Sequence, residues 1–253
     1  MINPMDLTGK HFIVTGASSG LGRQTCITLS QLGAKVSLIA RNEERLDDTV
    51  NLMEGTGHCI FAFDVTSIEK LENLVKLIVE QNGKLNGFVH AAGIATRKPL
   101  NMTKYEFMQE MMKLHLFAFV ELVRVVGKKK YSEDGSSIVA VSSASTFSSD
   151  KGQVAYITTK GALDRAIKPI AIELGESRKF RANTINPGWI KTDMYYDFIK
   201  EQGQERMDEI LEPYFLGPAE PMDVANLIAF LLSDASKMIT GQNIVIDGGW
   251  SIH

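Results

Sequence analysis

Short apolar runs of β-forming residues alternate with stretches of helical period along almost the whole chain, and this alternation restricts the fold more than any other feature. Phe12-Ile13-Val14 reads as a strand, followed by glycines and by a helix with Leu21, Thr25, Leu29 and Leu32 on one face, closed by Gly33. Residues 36–40 form a second strand, and Asn42 can cap a helix carrying Leu46, Val50 and Met53. Residues 59–63 form a third strand ending at Asp64. Thr66-Ser67-Ile68-Glu69 then spells a capping box before Leu71, Leu74, Val75, Ile78 and Val79, and Gly83 stops that helix. Residues 88–92 read as a fourth strand. Thr103-Lys104-Tyr105-Glu106 reads as the capped start of a helix running to about residue 126. A fifth strand is expected at 138–141, a long helix at 153–174, a sixth strand at 182–185 and a seventh at 244–246. Strands alternating with helices pair in parallel through right-handed crossovers, and near-continuous apolar strands suit a sheet covered on both faces. The expected fold is therefore α/β: a doubly wound seven-stranded parallel sheet with helices on both faces. No break in composition divides the 253 residues, so one domain over 1–253 is expected.

In such sheets ligands bind beyond the carboxyl ends of the strands, and the chemically suggestive residues fall there. Thr15-Gly16-Ala17-Ser18-Ser19-Gly20-Leu21-Gly22 joins the first strand to the first helix. Glycines there allow close backbone approach, and the helix start offers unpaired amides to a pyrophosphate. The G-x-x-x-G-x-G spacing differs from the common G-x-G-x-x-G fingerprint. Tyr156 and Lys160 lie one helical turn apart, with Ser143 thirteen residues upstream of Tyr156. A tyrosine with a free pKa near ~10 is a poor proton donor or acceptor at neutral pH. A nearby ammonium favours the phenolate, so the pair is a candidate acid/base device for a carbonyl or an alcohol. A Tyr–Lys pair at this spacing also occurs on solvated helix faces.

Other function classes find little support. A net charge of −3 gives no electrostatic case for nucleic acid or an anionic membrane. Lys128-Lys129-Lys130 is followed by Glu133 and Asp134 and reads as a solvated helix end. No apolar run approaches the ~18 residues of a membrane span. Met1-Ile2-Asn3-Pro4-Met5-Asp6 lacks a basic region followed by an apolar stretch, so no secretory signal is expected. Two cysteines, Cys26 and Cys59, fit a reducing compartment, and a cytoplasmic protein is expected. The 5 histidines show no ligand spacing, so no metal site is expected.

The glycine loop, His90-Ala91-Ala92-Gly93, Ser143, Tyr156-x-x-x-Lys160, Asn186-Pro187-Gly188, Thr192 and Asp247-Gly248-Gly249 occur in the order and spacing of the short-chain dehydrogenase/reductase family. The resemblance covers essentially the whole chain and implies a Rossmann fold binding a nicotinamide dinucleotide. It implies that Gly16, Ser18, Ser19, Gly20, Leu21 and Gly22 shape the pyrophosphate turn. Asp64 and Val65 would lie by the adenine, and Ala91, Ala92 and Gly93 would pack beside the cofactor. Pro187, Gly188, Ile190 and Thr192 would hold the nicotinamide. Tyr156 would be the general acid in reduction and the base in oxidation. Lys160 would lower its pKa and bind the nicotinamide ribose, and Ser143 would hydrogen-bond the substrate oxygen.

Two positions depart from the family. His90 stands where an asparagine is usual and is expected to substitute for it structurally. His115 falls where the family usually has an asparagine that holds a relay water behind the lysine. A histidine there, titrating near ~6.5, would keep the relay with a different pH response, or else be a buried helix residue with no part in it. The second strand ends in Ile39-Ala40-Arg41-Asn42, with no acid to bind a ribose 2′-OH. Arg41, helped by Ser18 or Asn42, could face a 2′-phosphate, which favours NADP(H) over NAD(H).

A substrate lid is expected near 190–217, with Met194, Tyr195, Tyr196, Phe198 and Ile199 in it and Trp189 and Phe147 nearby. These residues suit an apolar or extended substrate, or equally packing against the core or another subunit. The resemblance implies a homodimer or homotetramer through the helices at 104–126 and 153–174, with Trp250-Ser251-Ile252-His253 at a second interface. The expected activity is hydride transfer between NAD(P) and a ketone or secondary alcohol, most like a 3-oxoacyl-[acyl-carrier-protein] reductase. A sugar, polyol or steroid dehydrogenase and a non-catalytic dinucleotide sensor are the alternatives.

Overall fold

Each apolar run expected as a strand pairs with at least one other in a single sheet. In the computed structural model, which describes residues 3–148 and 150–252, seven strands form one sheet. They are β1 (His11–Thr15), β2 (Lys35–Ala40), β3 (Cys59–Ala62), β4 (Leu85–His90), β5 (Ser132–Val141), β6 (Arg181–Pro187) and β7 (Asn243–Ile246). Their order is β3-β2-β1-β4-β5-β6-β7, and every neighbouring pair is parallel. The order reverses between β1 and β4, so their carboxyl ends, Thr15 and His90, flank the crevice expected at a switch point.

Nine α-helices connect the strands: α1 (Gly20–Gln31), α2 (Glu43–Val50), α3 (Leu71–Asn82), α4 (Tyr105–Met112), α5 (Ala118–Val126), α6 (Val154–Arg178), α7 (Asp193–Gln202), α8 (Gln204–Leu211) and α9 (Pro221–Leu232) among the described residues. One core packs α3, α5 and α6 on the sheet through Leu71, Val75, Phe119, Leu122, Leu163 and Ile167. The other packs α1 and α9 on the opposite face through Cys26, Leu29, Val224 and Ile228. Sandwiching the sheet removes both faces from water, which explains the near-continuous apolar runs of β1, β2 and the second half of β5.

Several local expectations change. Asn42 caps α2 as expected, its side chain accepting from Arg45 N. The box at Thr66–Glu69 does not form. Asp64 Oδ1 instead accepts from Thr66 N at 2.9 Å and Thr66 Oγ1 at 2.8 Å, and a 3₁₀ turn at Ile68–Lys70 leads into α3. Thr103 does not cap α4. Its hydroxyl turns back to the Pro99 carbonyl at 3.1 Å. The helix expected to run unbroken to 126 is interrupted by a π-helical turn at Lys113–Phe117, an insertion common at functional sites. Helix α9 was not read from the sequence, although its signal was there: Pro221 at the first position and Asp223 Oδ2 accepting from Glu220 N at 2.9 Å.

Candidate active site

The loop after β1 is shaped by what a side chain would strike. A Cβ on Gly22 would lie 2.1 Å from Gly16 O, and one on Gly16, at φ 70°, would lie 2.9 Å from Ala92 N. Gly20, at φ 49°, starts α1 and lies against Thr192, whose Cγ2 would be 3.3 Å from an added Cβ. The bare backbone leaves room for a ligand over the first amides of α1, which no side chain caps. Gly22→Ala is therefore expected to abolish dinucleotide binding, because the obstacle is backbone and cannot rotate away. Titration with NADPH followed by nicotinamide fluorescence checks this, and unaltered affinity would refute it.

Two residues not singled out from the sequence pin this loop. Thr49 Oγ1 donates to Ala17 O at 3.0 Å, and Arg23 donates to Ser18 O at 2.8 Å and to Thr49 Oγ1 at 3.1 Å. Arg23 sits one turn inside α1 and Thr49 next to the last residue of α2, positions with no distinctive sequence signal. Arg41 is exposed at the end of β2. Asn42 uses its side-chain oxygen to cap α2, so that atom is committed to the helix rather than to a phosphate. One turn on, Arg45 reaches Asp193 at the start of α7, 3.3 Å away. Burial alone would raise the Asp64 carboxyl, but the Thr66 amide and hydroxyl and the nearby Arg41 charge hold it below its usual range. Val65 beside it is buried.

Beyond β4, His90 ties three elements together. Its Nε2–H donates to Leu114 O at 3.2 Å, and its Nδ1 pairs with Thr15 Oγ1 at 3.1 Å, which in turn accepts from Ala92 N at 3.1 Å. Burial, then the Lys160 charge, lowers its pKa to about 3. The expected structural substitution is what the geometry shows. His115, on the π-helical turn, is fully buried. Its Nε2 accepts from Ile94 N at 3.1 Å, so Nδ1 carries the proton and donates to Thr159 Oγ1 at 2.8 Å. Burial and the Lys160 charge depress its pKa to about 2. Both ring nitrogens are thus engaged by groups from other elements, as those of a buried helix histidine would be.

Ser143 lies two residues beyond β5 and caps a 3₁₀ turn at Ala144–Phe147, its side chain accepting from Ser145 N. Helix α6 brings Tyr156 to the neighbourhood of the Ser143 hydroxyl, which pulls the phenol's pKa down. Lys160 is buried, and its Nζ donates to Val141 O at 2.7 Å. Burial lowers its pKa to about 8 against the opposing pull of Asp164. The Tyr156 phenol is raised by desolvation, offset in part by the Ser143 hydroxyl. The Lys160 Nζ lies 6.0 Å from the phenol ring centroid, one helical turn away. Gly93 touches both Lys160 and His115, since an added Cβ would lie 3.3 Å from Nζ and 3.2 Å from Nε2.

The fourth wall is the turn after β6. Pro187 ends that strand, and a Cβ on Gly188 would lie 2.8 Å from the Tyr214 ring and 3.0 Å from Asp247 Cα. Ile190 pairs with Ala219, and Thr192, whose amide donates to Ile190 O at 2.7 Å, opens α7. Trp189 packs on Phe198 with ring centres 5.0 Å apart, and the Arg97 guanidinium lies 5.5 Å over Phe198 while pairing with Asp150 at 2.8 Å. The structure thus gathers Ser143, Tyr156, Lys160 and His115 with the glycine loop, Ala91–Gly93 and the 187–192 turn at one end of the sheet. Arg41, Asp64 and Val65 lie farther along the same end, beyond β2 and β3. Among the described residues no cluster of metal-ligating side chains occurs.

A family model described as enoyl-(acyl carrier protein) reductase matches residues 16–251. An L-xylulose reductase of Caenorhabditis elegans is 32% identical over 251 residues, covering 97% of each chain. A 3-oxoacyl-[acyl-carrier-protein] reductase of Thermotoga maritima is 31% identical over 247 residues, covering 97% of this chain and 99% of that one. Among solved structures, a 7α-hydroxysteroid dehydrogenase complexed with NADH and 7-oxo glycochenodeoxycholic acid superposes with a TM-score of 0.91 at 27% identity, covering 98% of both chains.

Proposed function

The chain belongs to the short-chain dehydrogenase/reductase family, and from that premise we propose that Tyr156, Lys160 and Ser143 carry hydride exchange between NADP(H) and a ketone or secondary alcohol. The observation that carries the proposal is the convergence of the Tyr156 phenol near Ser143 and the buried Lys160 ammonium beside Gly93, next to the cradle formed by Gly16, Gly20 and Gly22.

The family uses a nicotinamide cofactor, and the glycine cradle fits one, since the space a Cβ would fill at Gly16 and Gly22 is kept bare at a helix start. Ser18, Ser19, Leu21, Asp64, Val65, Ala91 and Ala92 would line its adenosine and pyrophosphate. Pro187, Gly188, Ile190 and Thr192 would flank its nicotinamide, which supplies or accepts the hydride when bound. Ser143 orients the substrate oxygen. Tyr156 gives that oxygen a proton in reduction and removes it in oxidation. Lys160, charged below about pH 8, binds the ribose and favours the phenolate when the alcohol is oxidised. His115 acts here through position, tying the Gly93–Ile94 backbone to α6. The preference for NADP(H) rests on Arg41 at the end of β2, where an acid would suit NAD(H).

The substrate reading is a 3-oxoacyl thioester, with a keto sugar, polyol or steroid as alternatives. The stretch 190–217 would act as the lid. The tilted Phe198 ring 5.0 Å from neighbouring Trp189 and the Tyr195 ring 6.2 Å from it favour an apolar or extended substrate. The apolar groove of Val120, Val123, Pro169, Ile170 and Leu174 on α5 and α6 would be covered by a second copy of the chain. The exposed Ile252 would join a further contact, while His253 lies outside the described residues. No helix among the described residues is long and apolar enough to cross a membrane. Purified protein with NADPH or NADH is assayed at the nicotinamide absorbance against a β-ketoacyl thioester, a keto sugar and a keto steroid. NADPH is expected to be favoured in kcat/KM by at least about tenfold, the worth of one charge-assisted contact. No turnover with any ketone or alcohol would move the protein to the cofactor-sensor reading.

A further inference from the structure

Tyr156, Lys160 and Asp164 lie at successive i, i+4 positions of α6, so they share one face. Asp164 is buried, and no cation pairs with it at salt-bridge distance among the described residues. A buried carboxylate without a direct counter-ion is costly unless hydrogen bonds or a nearby charge compensate it. Here Oδ2 accepts from Asn186 Nδ2 at 2.9 Å and from Thr146 Oγ1 at 2.8 Å, and Oδ1 lies 3.5 Å from Asn243 Nδ2. Asn186 and Thr146 also reach the turn that carries Ser143, the single Thr146 hydroxyl proton being shared between the Asp164 carboxylate and the Ser143 carbonyl. Asn186 Nδ2 lies 3.1 Å from Ser143 O, and Thr146 Oγ1 lies 2.9 Å from the same carbonyl.

We propose that Asp164 is a positioning residue of this site. One helical turn below Lys160, its carboxylate keeps the ammonium charged, and through Asn186 and Thr146 it fixes the backbone of Ser143. The inference rests on the functional reading given above and adds the residue that supports its acid/base pair from behind. It follows from the geometry because Lys160 and Asp164 are both buried one turn apart on α6, whereas Lys168, one turn beyond Asp164, is exposed; Asp164 also opposes the loss of the Lys160 proton to burial. The other titratable groups facing Lys160 are Tyr156 from its own helix, His115 from the π-helical turn and His90 from β4, and both histidines are neutral near pH 7. The partners of Asp164 from the 3₁₀ turn, β6 and β7 are Thr146, Asn186 and Asn243, which do not titrate. Arg165 and Lys168 on the same helix face solvent.

The test is the pH profile of kcat/KM for ketone reduction, from pH 6 to 10, in the parent and in Asp164→Asn. Asparagine keeps the volume and part of the hydrogen bonding but removes the charge. The alkaline limb is expected to move down by about one pH unit, so that the loss is small at pH 6 and about tenfold by pH 9. Asp164→Glu, which keeps the charge, should hold the limb near its parental position even at reduced stability. Asp164→Ser, smaller but still able to accept from Asn186, carries the same expectation as Asp164→Asn if that variant does not fold. An unshifted limb in a folded charge-removing variant of a working enzyme overturns the proposal alone. So does failure of both such variants to fold, which would make the carboxylate a folding requirement. A parent without any ketone or alcohol turnover overturns the functional reading and this inference with it.

Discussion

Tyr156→Phe is expected to lower kcat by roughly 10²–10⁴-fold, the contribution of a positioned acid/base, while leaving NADPH binding within a few-fold of the parent. The variant removes one oxygen and keeps the ring, including its edge-on packing against His115, whose centre is 6.0 Å away. The Ser143 hydroxyl retains its bond from Ser145 N at 3.2 Å, so the 3₁₀ turn should persist. The measurement pairs steady-state turnover with cofactor titration. Retention of parental turnover would remove Tyr156 from the chemistry and favour a sensor. Loss of both turnover and cofactor binding would instead point to a disturbed fold.

The second large effect is acid destabilisation that begins unusually close to neutrality. His11, His90 and His115 are all buried and all have folded pKa values below 6.5, with burial the leading cause in each. His11 bonds Gly83 O at 3.0 Å and Ser37 Oγ at 2.9 Å, so protonation would disturb the amino-terminal end of the sheet as well. A histidine that stays neutral when folded but protonates when unfolded stabilises the unfolded chain as pH falls. The contribution to stability is therefore intact above about pH 6.5 and declines below it, towards the folded values of about 3 for His90 and about 2 for His115. Three such groups give a limiting slope of about 4 kcal/mol per pH unit, against a typical stability of about 5–15 kcal/mol. Urea midpoints should be level from pH 8 to 7 and fall steeply between 6.5 and 5. His90→Asn or His115→Asn should flatten that fall by about a third each. Carboxylates with lowered pKa, such as Asp64 and Glu72, act at lower pH, below their ordinary values of 3.8 and 4.5. A level midpoint down to pH 5 would show that these histidines take up protons without unfolding the protein.

Much of this was legible in the residues because it depends on short-range order. Phe12-Ile13-Val14 followed by Gly16, Gly20 and Gly22 announces a strand, a tight turn and a helix, and all three form within twenty residues. Tyr156 and Lys160 share a face because they share a helix. The capping expectations fared less well, since a polar side chain has several backbone partners within reach. Asp64 took the amide and hydroxyl of Thr66, and Thr103 turned back to Pro99. The π-helical turn at Lys113–Phe117 carries no local breaker, and His115 within it bonds Ile94 and Thr159, which come from other elements.

The sequence by itself determined the alternation of elements, the parallel sheet and the glycine cradle, because periodicity and backbone freedom are properties of neighbouring residues. The charge states at the site were decided only by tertiary structure. A histidine or lysine pKa depends on how much water is excluded and on which partners arrive from distant parts of the chain: Thr15 and Leu114 at His90, Ile94 and Thr159 at His115, Val141 and Asp164 around Lys160. Folding buried His115 and tied both of its ring nitrogens to other elements. It also placed Asp164, unremarked in the sequence, one turn behind the lysine on which the acid/base pair depends.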